Sequence, residues 1–72
     1  MRTKAYKSRS GEKLFKISIE YARELDDDYL GFCIACRHTQ SAEPDARKYV
    51  CEACGKPKVY GAAELAMMGL TF

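Results

Sequence analysis

Cys33-Ile-Ala-Cys36 and Cys51-Glu-Ala-Cys54, with residues 37 to 50 between them, decide how this chain folds. They contain all 4 of its cysteines. A Cys-x-x-Cys pair sets two sulfurs one tight turn apart, the bite needed for two adjacent corners of a tetrahedron about Zn²⁺. The intervening loop lets the second pair fold back and fill the other two corners. It is one residue short of the roughly 15–20 common between such pairs in structural zinc sites. The spacing therefore predicts one structural Zn²⁺ per chain, held by Cys33, Cys36, Cys51 and Cys54. Four thiolates leave no open coordination position, so such a site serves structure rather than Lewis-acid catalysis.

The length points the same way. A chain of 72 residues has room for one domain and buries only about 60% of the surface its unfolded form exposes. Small domains of this kind need disulfides, a metal or a partner subunit. Structural zinc contributes roughly 10–16 kcal/mol of apparent binding energy, so the metal-free chain is expected to be largely unfolded. Two disulfides in a secreted mini-protein are the competing use of four cysteines. Met1 to Lys16 is basic without an apolar core of the signal-peptide kind, and no apolar run is long enough to cross a bilayer. The expectation is a cytoplasmic, reduced, metal-loaded protein with no membrane association. Iron also accepts four thiolates; Arg37, where rubredoxin-like sites carry a glycine, and the short loop between the pairs favour zinc.

The formal net charge is +2, but ligation deprotonates each sulfur, so four thiolates and one Zn²⁺ bring the loaded protein close to neutrality. What matters is where the charges sit. Residues 1 to 23 hold Arg2, Lys4, Lys7, Arg9, Lys13, Lys16 and Arg23 against Glu12 and Glu20. Glu24, Asp26, Asp27 and Asp28 follow as a compact acidic block, and Tyr29 to Phe72 nearly balances before the cysteines are counted. A basic stretch followed by an acidic turn is the polarity of the chain.

Residues 1 to 12 are poor in apolar side chains and have no clear period, so they read as a basic, flexible arm. Residues 13 to 72 read as a single domain, with the zinc module at 29–60 and a C-terminal helix at about 62–68. Phe15, Ile17, Ile19 and Tyr21 alternate as in a strand, while Leu14, Ile17, Tyr21 and Leu25 form a helical face. The compromise is extended chain near 13–17 and a short helix near 18–26, stopped by the like charges of Asp26-Asp27-Asp28. Tyr29–Phe32 leads into the first knuckle as a strand. Residues 37 to 46 give a strand edge and a turn at Pro44-Asp45, and Arg47–Val50 returns as a second strand. Gly55 supplies the positive φ a metal knuckle needs after its second sulfur. Arg37 takes that place in the first knuckle, so the two turns are expected to differ. Val59-Tyr60 adds a third strand. Ala62–Met68 is rich in helix formers, with Gly69 at C′ and Leu70 and Phe72 tucked back over it. The fold class is thus a small, metal-stabilised α+β domain: a zinc ribbon with short antiparallel strands and one or two short helices.

No nucleophile–base pair, phosphate-loop glycine run or paired carboxylates is visible, so neither an enzyme nor a small-molecule substrate is expected. His38, the sole histidine, reads as an exposed loop imidazole. Gly31-Phe-Cys-Ile-Ala-Cys36, Glu43-Pro-Asp-Ala-Arg47, Tyr49-Val-Cys-Glu-Ala-Cys-Gly55 and Val59-Tyr-Gly-Ala-Ala-Glu-Leu65 together resemble small zinc-ribbon proteins of bacteriophages and prophages. The resemblance covers just over half the chain, implies the same four metal ligands, and implies no catalytic residue. Two function classes follow. The first is a regulatory module binding nucleic acid through Arg2, Lys4, Lys7, Arg9 and Lys13, with Tyr6 and Phe15 stacking on bases, and a second cluster of Arg47, Lys48, Lys56 and Lys58. The second is a protein-interaction adaptor or inhibitor of a host or phage enzyme. It would use Tyr29, Phe32, Tyr49, Tyr60 and the tail residues Met67, Met68, Leu70 and Phe72, with the acidic block as a further candidate contact for a basic partner.

Overall fold

Period-2 alternation wins over the helical face at the start of the chain. In the computed structural model, which describes residues 2–72, β1 (Thr3–Lys7) and β2 (Lys13–Ile17) form an antiparallel hairpin. Its register sets Thr3 opposite Ile17 and Lys7 opposite Lys13. The turn closes with the Ser8 amide donating to the Glu12 carbonyl at 2.9 Å, and Gly11 takes φ +86° there. The basic arm is therefore ordered from Thr3 onward, Met1 lying outside the described residues. A stretch with only Ala5 and Tyr6 to bury has no period of its own, and its order comes from pairing with β2 across the turn. Leu14 and Ile17 are buried, and Tyr6 packs against the same cluster.

Helix α1 (Ile19–Asp27) starts where Ser18, at the N-cap, accepts a hydrogen bond from the Tyr21 amide at 3.1 Å. It ends inside the acidic block, with Asp27 its last residue and Asp28 at the C-cap. The chain leaves the helix at Tyr29, which takes a left-handed φ of 56° while its amide returns to the Asp26 carbonyl.

The second sheet has the order β4-β3-β5, antiparallel throughout, from β3 (Leu30–Cys33), β4 (Thr39–Ser41) and β5 (Val59–Gly61). The strand expected at Arg47–Val50 is reduced to a single bridge between Tyr49 and Val59. Lys48 turns left-handed at φ 56° and breaks the extended run. Helix α2 (Ala62–Met67) ends with Gly69 at φ 76°, the Leu70 amide reaching back to the Leu65 carbonyl at 2.9 Å. The tail then runs parallel to the edge of β2: Ile17 donates to the Leu70 carbonyl and accepts from the Phe72 amide, each at 3.0 Å.

Two buried clusters result. Leu14, Ile17, Leu25, Phe32, Ile34, Tyr60, Ala62 and Leu65 join the hairpin, both helices and the sheet. Cys33, Cys51 and Val59 form the second. Cys33 and Ile34 follow Phe32 directly, so the first knuckle is rooted in the main core.

Candidate metal centre and the basic surface

The four cysteines converge. Their ligand atoms all lie within 4.8 Å of one another, with Cys33 Sγ 3.7 Å from Cys54 Sγ and Cys36 Sγ 3.5 Å from Cys51 Sγ. A tetrahedron with metal–sulfur bonds of about 2.3 Å has sulfurs about 3.8 Å apart. The cluster is thus positioned to hold one metal ion, each knuckle contributing one buried sulfur (Cys33, Cys51) and one exposed sulfur (Cys36, Cys54).

The two knuckles share one backbone design. Cys33 donates to the His38 carbonyl at 2.8 Å and accepts from the Arg37 amide at 2.8 Å. Cys51 does the same with Lys56 and Gly55, each at 2.9 Å. Arg37 has φ 73° and Gly55 φ 77°, so the expected difference between the turns is absent. Arg37 accepts the strained conformation and lays its guanidinium 4.9 Å from the centre of the Phe15 ring. The arginine consequently carries no information against iron.

Amide groups aim at the sulfurs that need them. Ala53 and Cys54 donate to Cys51 Sγ at 3.3 and 3.4 Å. Burial works against the Cys51 thiolate, but these amides, with the Cys36 and Cys33 thiols, outweigh it and bring the group down to about 6. Burial pushes Cys33 up to about 12 despite the Cys36 and Ala35 amides, and burial also raises Cys36. At neutral pH without metal, Cys51 is therefore mostly thiolate while Cys33 and Cys36 keep their protons. Metal binding must expel at least these two, and each proton released adds about a factor of ten in affinity per pH unit. Affinity should thus rise at least about 100-fold from pH 6.5 to 7.5 and weaken on acidification. Competition with a chelator of known pH dependence measures the slope; a rise of tenfold or less would contradict two-proton release.

Gln40 is a site residue with no signature in the sequence. From β4 its side-chain amide donates to the Val50 carbonyl at 3.1 Å and accepts from the Glu52 amide at 2.9 Å, bracketing Cys51. Groups that hold ligands in place typically change metal affinity about 10–100-fold when removed. Gln40→Ala should leave the fold intact and release metal to a chelator about tenfold faster; an unchanged release rate would show the clamp to be idle. His38 is half-buried rather than exposed, with Nε2 enclosed and unpartnered.

The candidate cations are distributed unequally. Arg2 pairs with Glu24 at 3.3 Å and lies 3.9 Å from the Tyr21 ring centre. Arg47 is held by the buried Glu64 at 3.4 Å. Lys56 and Lys58 both approach Glu12, at 3.8 and 3.7 Å, so the hairpin turn and the second knuckle, two clusters in the sequence, meet around one carboxylate. Lys4, Lys7, Arg9, Lys13 and Lys48 are exposed and form no ion pair among the described residues.

Of the candidate interface residues, Phe32 and Tyr60 are core, 0% and 6% exposed. Tyr29, Tyr49, Met67, Met68 and Phe72 are exposed. The Tyr49 hydroxyl donates to Glu43 at 2.5 Å, which holds that carboxyl below its ordinary range. No helix among the described residues is long and apolar enough to cross a membrane. Comparison of the chain with protein-family models, curated proteins and solved structures gives no match.

Proposed function

We propose that this chain is a cytoplasmic, non-enzymatic regulatory module: a zinc ribbon whose single structural Zn²⁺ fixes a basic surface that binds nucleic acid. The metal half of the reading rests on the sulfur spacings of 3.5 and 3.7 Å. The nucleic-acid half rests on one observation, the concentration of unneutralised lysine and arginine on the β1–β2 hairpin. The sequence resemblance to phage and prophage zinc ribbons agrees with the metal assignment and supplies no activity. Native mass spectrometry with elemental analysis tests the metal. One zinc per chain supports the reading; iron or two disulfides overturns it. Salt-dependent retention of mixed nucleic acid by the zinc-loaded protein tests the rest, because phosphate contacts release counterions and weaken steeply with salt.

A protein-directed adaptor or inhibitor is the second reading. It is favoured by a groove of about 370 Å³ between the helices, floored by Ile19, Ala22, Ala62 and Ala66 and edged by Arg23 and Asp26. Met67, 82% exposed, belongs to the same helix as Ala62 and Ala66.

A further inference from the structure

We infer that the β1–β2 hairpin, joined at its turn by Lys56 and Lys58, is a phosphate-binding ribbon for duplex DNA. The inference rests on the nucleic-acid reading above and assigns its element and its form of ligand. The strand register sets Lys4 directly opposite Lys16 and Lys7 directly opposite Lys13. Like charges in those positions destabilise a strand pair, and alternation puts the two lysine pairs on opposite faces of the ribbon. The like-charge register itself costs the fold stability, a repulsion that a bound polyanion would relieve. Arg9 stands exposed in the turn, and Glu12 draws in Lys56 and Lys58 beside it. Cations from two distant parts of the sequence thus gather around a single acid.

The aromatic side chains decide which nucleic acid. Single strands are held by stacking bases on open ring faces. The rings next to this surface already carry cations. Lys16 lies 6.0 Å from the Tyr6 ring centre, Lys13 5.8 Å and Arg37 4.9 Å from Phe15, and Lys4 5.8 Å from Phe72. The more exposed tyrosines, Tyr29 and Tyr49, sit with acids: Tyr29 follows Asp26–Asp28, and Tyr49 is bonded to Glu43 with Asp45 close enough to act on it. The cationic surface therefore offers charge without stacking platforms, which suits the backbone of a duplex. A two-stranded ribbon fits the major groove of B-form DNA, about 12 Å wide. The narrow major groove of duplex RNA does not admit one.

The test is fluorescence anisotropy of the zinc-loaded full chain with a short DNA duplex, one of its single strands, and the RNA duplex of the same sequence, from about 50 to 200 mM salt. The duplex DNA should bind tightest. The double variant Lys7→Gln/Lys13→Gln should lower the salt slope by about 2, one for each lysine, while its melting temperature stays level or rises because a like-charge pair is gone. Glu12→Gln should tighten binding by freeing Lys56 and Lys58. Asp27→Asn, which changes the net charge equally but lies in the acidic block, should do so far less. Binding that ignores the lysine pair, or that responds equally to Glu12→Gln and Asp27→Asn, overturns the hairpin assignment and leaves nucleic-acid binding standing. Tighter binding of the single strand, or equal binding of the RNA duplex, overturns the choice of duplex DNA. Failure to bind any of the three at the lowest salt overturns the proposed function itself.

Discussion

Stripping the metal from the folded chain should abolish its cooperative unfolding transition. Ligation at a structural site is worth roughly 10–16 kcal/mol at neutral pH, against about 5–15 kcal/mol for the whole stability of an ordinary domain. The topology shows how the loss spreads. Apart from the Cys51 and Cys54 sulfurs, residues 47–56 are tied to the sheet mainly by the Tyr49–Val59 bridge and the Gln40 clamp. Val59 belongs to the small cluster with Cys33 and Cys51, and the same strand carries Tyr60 into the main core. Release of the metal therefore frees the knuckle, then unseats β5, then opens the large cluster beneath it. Amide dispersion before and after chelation gives the answer. The spectrum should collapse across residues 30–61, and Cys33→Ser, at a sulfur with 0% exposure, should reproduce the collapse with zinc present. A chelated chain that kept its dispersion and a sigmoidal melt would show that the hydrophobic clusters suffice alone.

The cysteine pairs were legible because ligand spacing is a local property, and the end of α2 because Gly69 marks a helix stop wherever it occurs. What could not be read depended on partners distant in sequence. Thr3–Lys7 has no amphipathic pattern and becomes a strand only through pairing with β2. Phe32 and Tyr60 sit in short strands whose neighbours are buried as well, so no alternation marks them as core. The left-handed residues Tyr29, Arg37 and Lys48 were invisible for another reason. None is a residue type that favours positive φ, and the preference they violate is worth only about 1–2 kcal/mol, less than a metal or a packed sheet can impose. The charges were countable from the sequence, but their neutralisation was not: Arg47 and Arg2 are taken by acids 17 and 22 residues away. The surface left over is the hairpin, whose first strand and turn the sequence had presented as a flexible arm.

Gly61→Ala should be the most damaging of the glycine substitutions. The position has an ordinary extended backbone, φ −73° and ψ 163°, so the penalty is one of space rather than conformation. A Cβ there would overlap the carbonyl oxygens of Glu43 and Pro44, backbone atoms that no rotamer change can move aside. Those atoms are fixed in turn. The Pro44 carbonyl accepts from the Glu64 amide at 3.1 Å, the Gly61 amide donates to Ala46 at 2.9 Å, and Ala42 and Ala46 are 5% and 3% exposed. Gly61 lies opposite Gly31 in the β3–β5 register, where an added Cβ would come within 2.8 Å of the Ala42 Cβ. The paired glycines let the segment from Ala42 to Ala46 lie flat on the sheet, and that segment leads to Arg47, the buried Glu64 and the second knuckle. Overfilling a packed site costs about 1–3 kcal/mol, and an immovable backbone neighbour puts this case at the upper end, about 3 kcal/mol. Gly69→Ala is the comparison: there the backbone itself favours glycine, with φ 76°, but no atom lies within 4 Å of the new Cβ. It should cost about 1 kcal/mol. Urea titrations at fixed free zinc, which keep the metal's contribution constant, separate the two. Equal losses would mean that the loop slides away from the sheet, and that the close contact at Gly61 does not set the path of the chain into its second knuckle.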